Sequence, residues 1–150
     1  MSDANNAGLL DTFAGDHRHC DALWASVEEA GNTGDNTATA AAWKTFEAAM
    51  KRHFAMEEEA LFPAFERATG MVGMGPTVVM RAEHEQMRGV LTTMAGCAGA
   101  GDFEGLLDHG DTLLMLIQQH NVKEEGILYP MADQHLQSVW PELKEQLPLG

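Results

Sequence analysis

Two stretches of this 150-residue chain share the pattern H-x-x-x-E-E-x-x-L-[FY]-P: HFAMEEEALFP begins at His53 and HNVKEEGILYP begins at His120. On an α-helix, side chains four residues apart lie on the same face. His53 therefore faces the same way as Glu57, and His120 the same way as Glu124. An imidazole beside a carboxylate can hold a metal ion. We predict that each stretch supplies two metal ligands.

The two stretches belong to a longer internal repeat. The second copy follows the first by 67 residues (120 − 53 = 67), and the same shift carries His17 onto His84 and Asp16 onto Glu83 without a gap. The chain is therefore predicted to be a duplicated pair of helices, in which His17 and His84 are further ligand candidates. His19 is the competing candidate on the first helix. Because the shift gives His19 no histidine counterpart, the repeat favours His17.

The candidate ligands lie on apolar helix stripes, which helices turn toward a core. In the second copy, either Ile127 or Leu128 continues the stripe. A buried carboxylate without a partner is too costly, and nine Lys and Arg in the chain offer few partners. A single H-x-x-x-E motif is more simply explained as a solvated side-chain pair, and a single inward His is more often a core residue hydrogen-bonded to the backbone. Here two copies of the motif are related by the same 67-residue shift as His17 and His84, which favours metal binding instead. The predicted metal ligands are His17, His53, Glu57, His84, His120 and Glu124.

Four helices are needed to carry these residues. The periodicity, together with glycine and proline signals, predicts helices over about 9–30, 37–69, from 76 to the glycine-rich run 95–102, and 102–136. Pro63 and Pro130 are expected to kink the second and fourth helices or to start new ones. We predict an all-α, up-down-up-down four-helix bundle, forming one domain over residues 1–150 with its core at about 9–136 and a capping tail at 137–150.

Composition narrows the classes of partner. A net charge of −14 argues against binding to nucleic acid or to anionic membranes, and no apolar run is long enough to span a membrane. The N-terminus lacks the basic start and apolar segment of a secretory signal, so we expect a cytoplasmic protein. Cys20 and Cys97 are too few for a disulfide framework. Cys20 is either a redox thiol near the metal or, more simply, a small buried apolar residue.

The donor set indicates which metal to expect. Imidazole nitrogen and carboxylate oxygen without thiolate suit iron or manganese, and two carboxylates able to bridge suit a pair of ions. A ferritin-like site would use a Glu-x-x-His motif, which the predicted ligands do not form. We expect a di-iron centre.

The residues flanking the predicted ligands allow further predictions. Glu58, Glu59 and Glu125 are expected to face solvent or to hydrogen-bond to the ligands. Phe62 and Tyr129, which precede the two prolines, are expected to pack in the core. Tyr129 can in addition donate a hydrogen bond near the centre.

A family resemblance is carried by Asp16-His17-Arg18, by Glu83-His84 and by the two long motifs. In these residues, and over essentially its whole length, the chain resembles the hemerythrin-like HHE cation-binding family. The resemblance implies a four-helix bundle with two non-haem iron ions, joined by an oxo or hydroxo bridge. Histidines would bind each iron, and Glu57 and Glu124 would bridge them.

The sequence departs from the oxygen-carrying members of that family at one position. The carriers have H-x-x-x-H on the third helix, whereas here His84 is followed four residues later by Arg88. Four His and two Glu are more similar to the metal domain of bacterial iron-centre repair proteins. Those proteins carry an additional N-terminal Cys-Cys domain, which this sequence does not show.

Three functions are compatible with such a centre. The first is binding of a small diatomic, oxygen or nitric oxide, at an open iron position for sensing, carriage or scavenging. The second is iron handling, or repair of damaged iron centres under oxidative or nitrosative stress. The third is reduction of nitric oxide or peroxide. No base, nucleophile or substrate pocket can be identified in the sequence, so a dedicated enzyme for an organic substrate is not expected.

Overall fold

The computed structural model describes residues 7–148, and all regular elements in this range are helical. Residues 1–6 and 149–150, the two ends of the predicted domain, lie outside the described part. Four long rods are formed by α1, by α2–π1–α3, by α4 and by α5–π2–α6, where π1 and π2 are π-helical segments. The bounds are α1 Leu9–Thr33, α2 Asn36–Ala55, π1 Met56–Leu61, α3 Phe62–Thr69, α4 Pro76–Gly99, α5 Phe103–Lys123, π2 Glu124–Leu128, α6 Tyr129–His135 and α7 Trp140–Glu145.

The rods pack as the predicted all-α four-helix bundle. Short loops join consecutive rods, so neighbours in sequence run antiparallel. α1 packs mainly on α2, and α4 on α5; the two hairpins meet where α1 contacts α5 and α6 and where α2 contacts α4. Among residues 7–148, no helix combines the length and the apolar character needed to cross a membrane.

Two of the predicted helix ends differ from those observed. α1 extends three residues beyond Ala30 and ends where Gly34 takes the left-handed conformation with φ 78°, which favours glycine. α4 continues to Gly99 through most of the predicted loop 95–102. Ala95, Cys97 and Ala98 are partly buried against the core, and this packing outweighs the low helix propensity of the glycines.

The two prolines act through π-helical turns, which the sequence did not predict. Pro63 and Pro130 each follow a π segment as the second residue of the next α-helix. A proline ring clashes with the carbonyl four residues earlier in an α-helix, and a wider turn relieves this clash. The amide of Phe62 accordingly donates to the carbonyl of Glu57, and that of Tyr129 to the carbonyl of Glu124, five residues back in each case. The rods therefore continue without a break.

The core consists of two apolar clusters with the predicted ligands between them. Along α1, Phe13 belongs to one cluster and Cys20 to the other, and His17 lies between them in sequence. Along α4, His84 has the same place between Met80 and Met87. The tail helix α7 extends the first cluster with Leu143. The polar layer is thus enclosed by apolar residues on both sides along the bundle.

Candidate metal centre

The fold brings all six predicted ligands together in the middle of the bundle. They form two groups that share both glutamates, and within each group one nitrogen or oxygen atom per residue lies within 4.8 Å of all the others. All six side chains are buried, with at most 4% of their surface exposed. We call the two groups position A, with His17 and His53, and position B, with His84 and His120. The shared residues are Glu57 and Glu124.

The π turns determine which of the following residues in the sequence face the same way as Glu57 and Glu124. In a π turn, residues five apart come onto one face, whereas in an α-helix residues three or four apart do so. Tyr129, five residues after Glu124, therefore faces the site, as does Phe62 after Glu57. The structure also shows which residue continues the apolar stripe after Glu124. Leu128 is buried, whereas Ile127 is 56% exposed.

Every histidine of the site makes a hydrogen bond through Nδ1 to an acidic side chain outside the six. Asp16 accepts from His53 at 2.7 Å, Glu58 from His84 at 2.6 Å, Glu83 from His120 at 2.8 Å and Glu125 from His17 at 2.7 Å. An ionised carboxylate only accepts hydrogen bonds, so each Nδ1 carries a proton, and each Nε2 faces inward, where it can offer a lone pair to a metal ion. Such partners fix the orientation of metal-binding imidazoles.

Two of these four acids were predicted only as possible hydrogen-bonding partners, and two were missed. Glu58 and Glu125 make the expected hydrogen bonds, while Glu59 is exposed. Asp16 and Glu83 were noted for the repeat and for the family resemblance, but not as hydrogen-bonding partners. The available signal was that both directly precede a candidate histidine and are related by the same 67-residue shift.

The inward-facing atoms fit metal ions. His84 Nε2 lies 2.9 Å from Glu57 Oε1, and His17 Nε2 lies 2.9 Å from Glu124 Oε1. With only Nδ1 protonated, each pair places two acceptors in contact, an arrangement that a shared metal ion would stabilise. Two ligand atoms that would each bind one ion at about 2.1 Å can lie about 3 Å apart. The Nε2 atoms of His53 and His120 are buried without a well-aligned hydrogen bond, although that of His120 lies 3.1 Å from Glu124 Oε2; both are free to bind a metal ion.

The pKa shifts of the site also indicate that it favours a positive charge. Burial lowers the pKa of His53, but the charge of Glu57 and the hydrogen bond to Asp16 outweigh burial and hold this pKa well above 6.5. Burial likewise lowers the pKa of His120, yet its contacts with Glu124 raise the pKa overall. Burial would raise the pKa of Glu124, but interactions with Glu57 and the neighbouring imidazoles hold it well below 4.5.

Tyr129 contacts both shared glutamates. Its hydroxyl donates to Glu57 Oε2 at 2.6 Å and lies 2.9 Å from Glu124 Oε1 and 3.0 Å from His17 Nε2. Burial, followed by the charges of Glu57 and Glu124, raises the pKa of Tyr129 well above 10. The hydroxyl therefore remains a donor. Phe62, at the repeat-related position, stacks on the His84 ring instead.

The remaining candidates lie outside the cluster. His19 is on the surface, whereas His17 is 4% exposed. Cys20 lies beside the site, and burial raises the pKa of its thiol to about 11, so in the metal-free protein it is a neutral thiol at neutral pH. Arg88 points outward and pairs with Glu58 and Glu85, and it makes no direct contact with the six.

Comparison with known proteins agrees with the geometry. No curated protein and no solved structure matches the chain. The family model described as the hemerythrin HHE cation-binding domain matches residues 8–132, a range that contains all six predicted ligands and the four acids that hold the histidines. On this match and on its fold, the chain belongs to the hemerythrin HHE cation-binding family.

Proposed function

We propose that this domain holds two iron ions at positions A and B and binds a small diatomic molecule, oxygen or nitric oxide, at an open iron position. The observation that carries the proposal is a small enclosed cavity against three of the four imidazoles. The family and the His/Glu cluster support cation binding in general. The identity of the ions and the ligand are the proposed parts.

The donors favour iron and leave it incompletely coordinated. Each position offers two imidazoles and shares two carboxylates, a set typical of non-haem iron with open positions. When bound, a pair of such ions supplies coordination positions for a diatomic and the electrons to stabilise it. The chain itself orients the imidazoles through their Nδ1 contacts and holds the glutamates through Tyr129.

The cavity has the size and character expected for such a ligand. The centre of a water-sized sphere can occupy about 10 Å³ of the cavity. By this measure the cavity has about the volume that one water molecule needs. Its surface is almost entirely apolar, which suits a neutral diatomic better than an ion or an organic substrate. It is lined by His17, Cys20, Met50, His53, Phe54, Met87, Ile117, His120 and Asn121.

Metal analysis with optical and Mössbauer spectra, on protein purified without added metal, tests the first part of the proposal. We expect two iron ions per chain. Anaerobic stopped-flow mixing of the reduced protein with oxygen or nitric oxide tests the second part, and a reversible adduct is expected. Continuous consumption of the gas would favour a reductase instead, and rapid transfer of iron to a weak chelator would favour iron handling.

A pair of cysteine variants tests the role of the cavity. Cys20→Leu fills the cavity and should weaken the diatomic adduct while leaving the iron content unchanged. Cys97→Leu is the matched control, because Cys97 is partly buried on α4 and does not line the cavity. Equal adduct affinities in the two variants would contradict binding in this cavity.

A further inference from the structure

The two metal positions have equivalent ligands but different surrounding charges. At position B, the carboxylates that hold the histidines are each paired with a cation. The Arg88 guanidinium donates to Glu58 Oε1 at 2.7 Å and to Oε2 at 2.8 Å, and the Lys123 ammonium contacts Glu83. Arg88 also donates to Glu85 at 2.6 Å, but Glu85 is 73% exposed, so this ion pair is weaker than the one with Glu58.

At position A, no such pairing is found within residues 7–148. Glu125 and Asp16 hold His17 and His53, and neither forms an ion pair with a Lys or Arg there. Arg52 is near enough to interact electrostatically with Asp16 but makes no ion pair with it. The carboxylates that hold the histidines are therefore less neutralised at position A than at position B.

At the position of Arg88, the internal repeat shows a reversal of charge. The 67-residue shift carries Arg88 back to position 21 (88 − 67 = 21), which is Asp21. Asp21 and Glu125 line the same surface groove. Burial raises the pKa of Asp21, His17 lowers it, and the charge of Glu125 adds a smaller increase. Lys123 shifts back to Met56, an uncharged core residue. The two halves of the repeat thus have equivalent metal ligands but different charged residues around them.

We propose, on the basis of the two-ion site above, that the positions are unequal: position A, with His17 and His53, takes up a divalent cation first and releases it last. Two effects favour this order. The cations Arg88 and Lys123 repel an ion at position B, while Asp21 attracts one at position A. An imidazole whose Nδ1 donates to an unpaired carboxylate is also a more basic ligand.

Stepwise titration of the metal-free protein with Co²⁺, followed by calorimetry and by absorbance, tests the order. We expect two dissociation constants that differ by at least tenfold. Asp21→Asn should weaken mainly the first binding step, and Arg88→Met should strengthen mainly the second. Methionine suits position 88 because it keeps an apolar stem over the Phe54 ring, on which the guanidinium lies at 5.0 Å. Arg67→Gln and Asp108→Asn are the matched controls, both exposed, and should change neither step.

Half-site variants give an independent check. His84→Ala removes a ligand of position B, and His17→Ala removes one of position A. The ion remaining in His84→Ala should be bound at least tenfold more tightly than the ion remaining in His17→Ala. If either variant fails to fold, judged by circular dichroism, the charge variants decide. Equal or reversed affinities would overturn the inference. A failure of the unaltered protein to bind any metal would instead overturn the proposed function.

Discussion

Replacing Tyr129 by Phe removes one hydroxyl from the centre of the bundle. The side chain is fully buried, and its hydroxyl makes a 2.6 Å hydrogen bond to Glu57 Oε2. Glu57 is itself fully buried, so water cannot replace the lost donor without rearrangement. The change is sterically mild because Phe62, at the repeat-related position, is accommodated with no exposed surface.

The expected loss of stability follows from that single contact. A hydrogen bond to a charged group contributes about 1.5–3 kcal/mol. In a protein of this size each kcal/mol corresponds to about 2–4 °C in the midpoint of thermal unfolding. We therefore expect Tyr129→Phe to lower the midpoint of the metal-free protein by roughly 3–12 °C. In the metal-loaded protein the loss should be smaller, because the metal would engage the carboxylate oxygens.

Urea unfolding of both proteins, with and without metal, measures this difference. Thr39→Val is a suitable control, since the Thr39 hydroxyl is also buried and donates to the Asp35 carbonyl at 2.8 Å, outside the site. That variant should lose the same free energy of unfolding in both forms. If Tyr129→Phe also loses equally in both forms, or loses nothing without metal, the assigned role of the hydroxyl is wrong.

Three further predictions concern the site. Glu124→Gln should bind fewer than half the metal ions held by the unaltered protein, and full retention by elemental analysis would contradict a shared carboxylate. His17→Ala should change the optical spectrum of the metal-loaded protein, whereas His19→Ala should not; the opposite result would show that the repeat misassigned the ligand of the first helix. In metal-free protein, the folded pKa values of His53 and His120 lie above 6.5, so their contribution to stability is complete below pH 6.5 and is lost as pH rises through the folded values. Urea unfolding between about pH 6 and pH 10 measures that loss, while metal affinity should rise over the same range because metal displaces these protons; a metal affinity that is independent of pH would contradict the assignment.

The sequence by itself determined the set of side chains that converge. The four-residue spacing of His53 and Glu57 places them on one helical face wherever the helix packs, because helical periodicity is a local property. The 67-residue shift extended that local pattern to His17 and His84 without any knowledge of the fold. Apolar periodicity likewise predicted four helices, since burial of one stripe is what a bundle requires.

The tertiary structure decided what surrounds that set. The hydrogen bond from His17 to Glu125 joins residues 108 positions apart, and no local spacing specifies such a contact. The π turns before the prolines brought Tyr129 onto the site face, because a wider turn changes which residues align. Packing of α4 against the second rod placed Arg88 on Glu58. The sequence contains these charges, but only the packed bundle determines which carboxylates they neutralise, since electrostatic energy depends on distance in space.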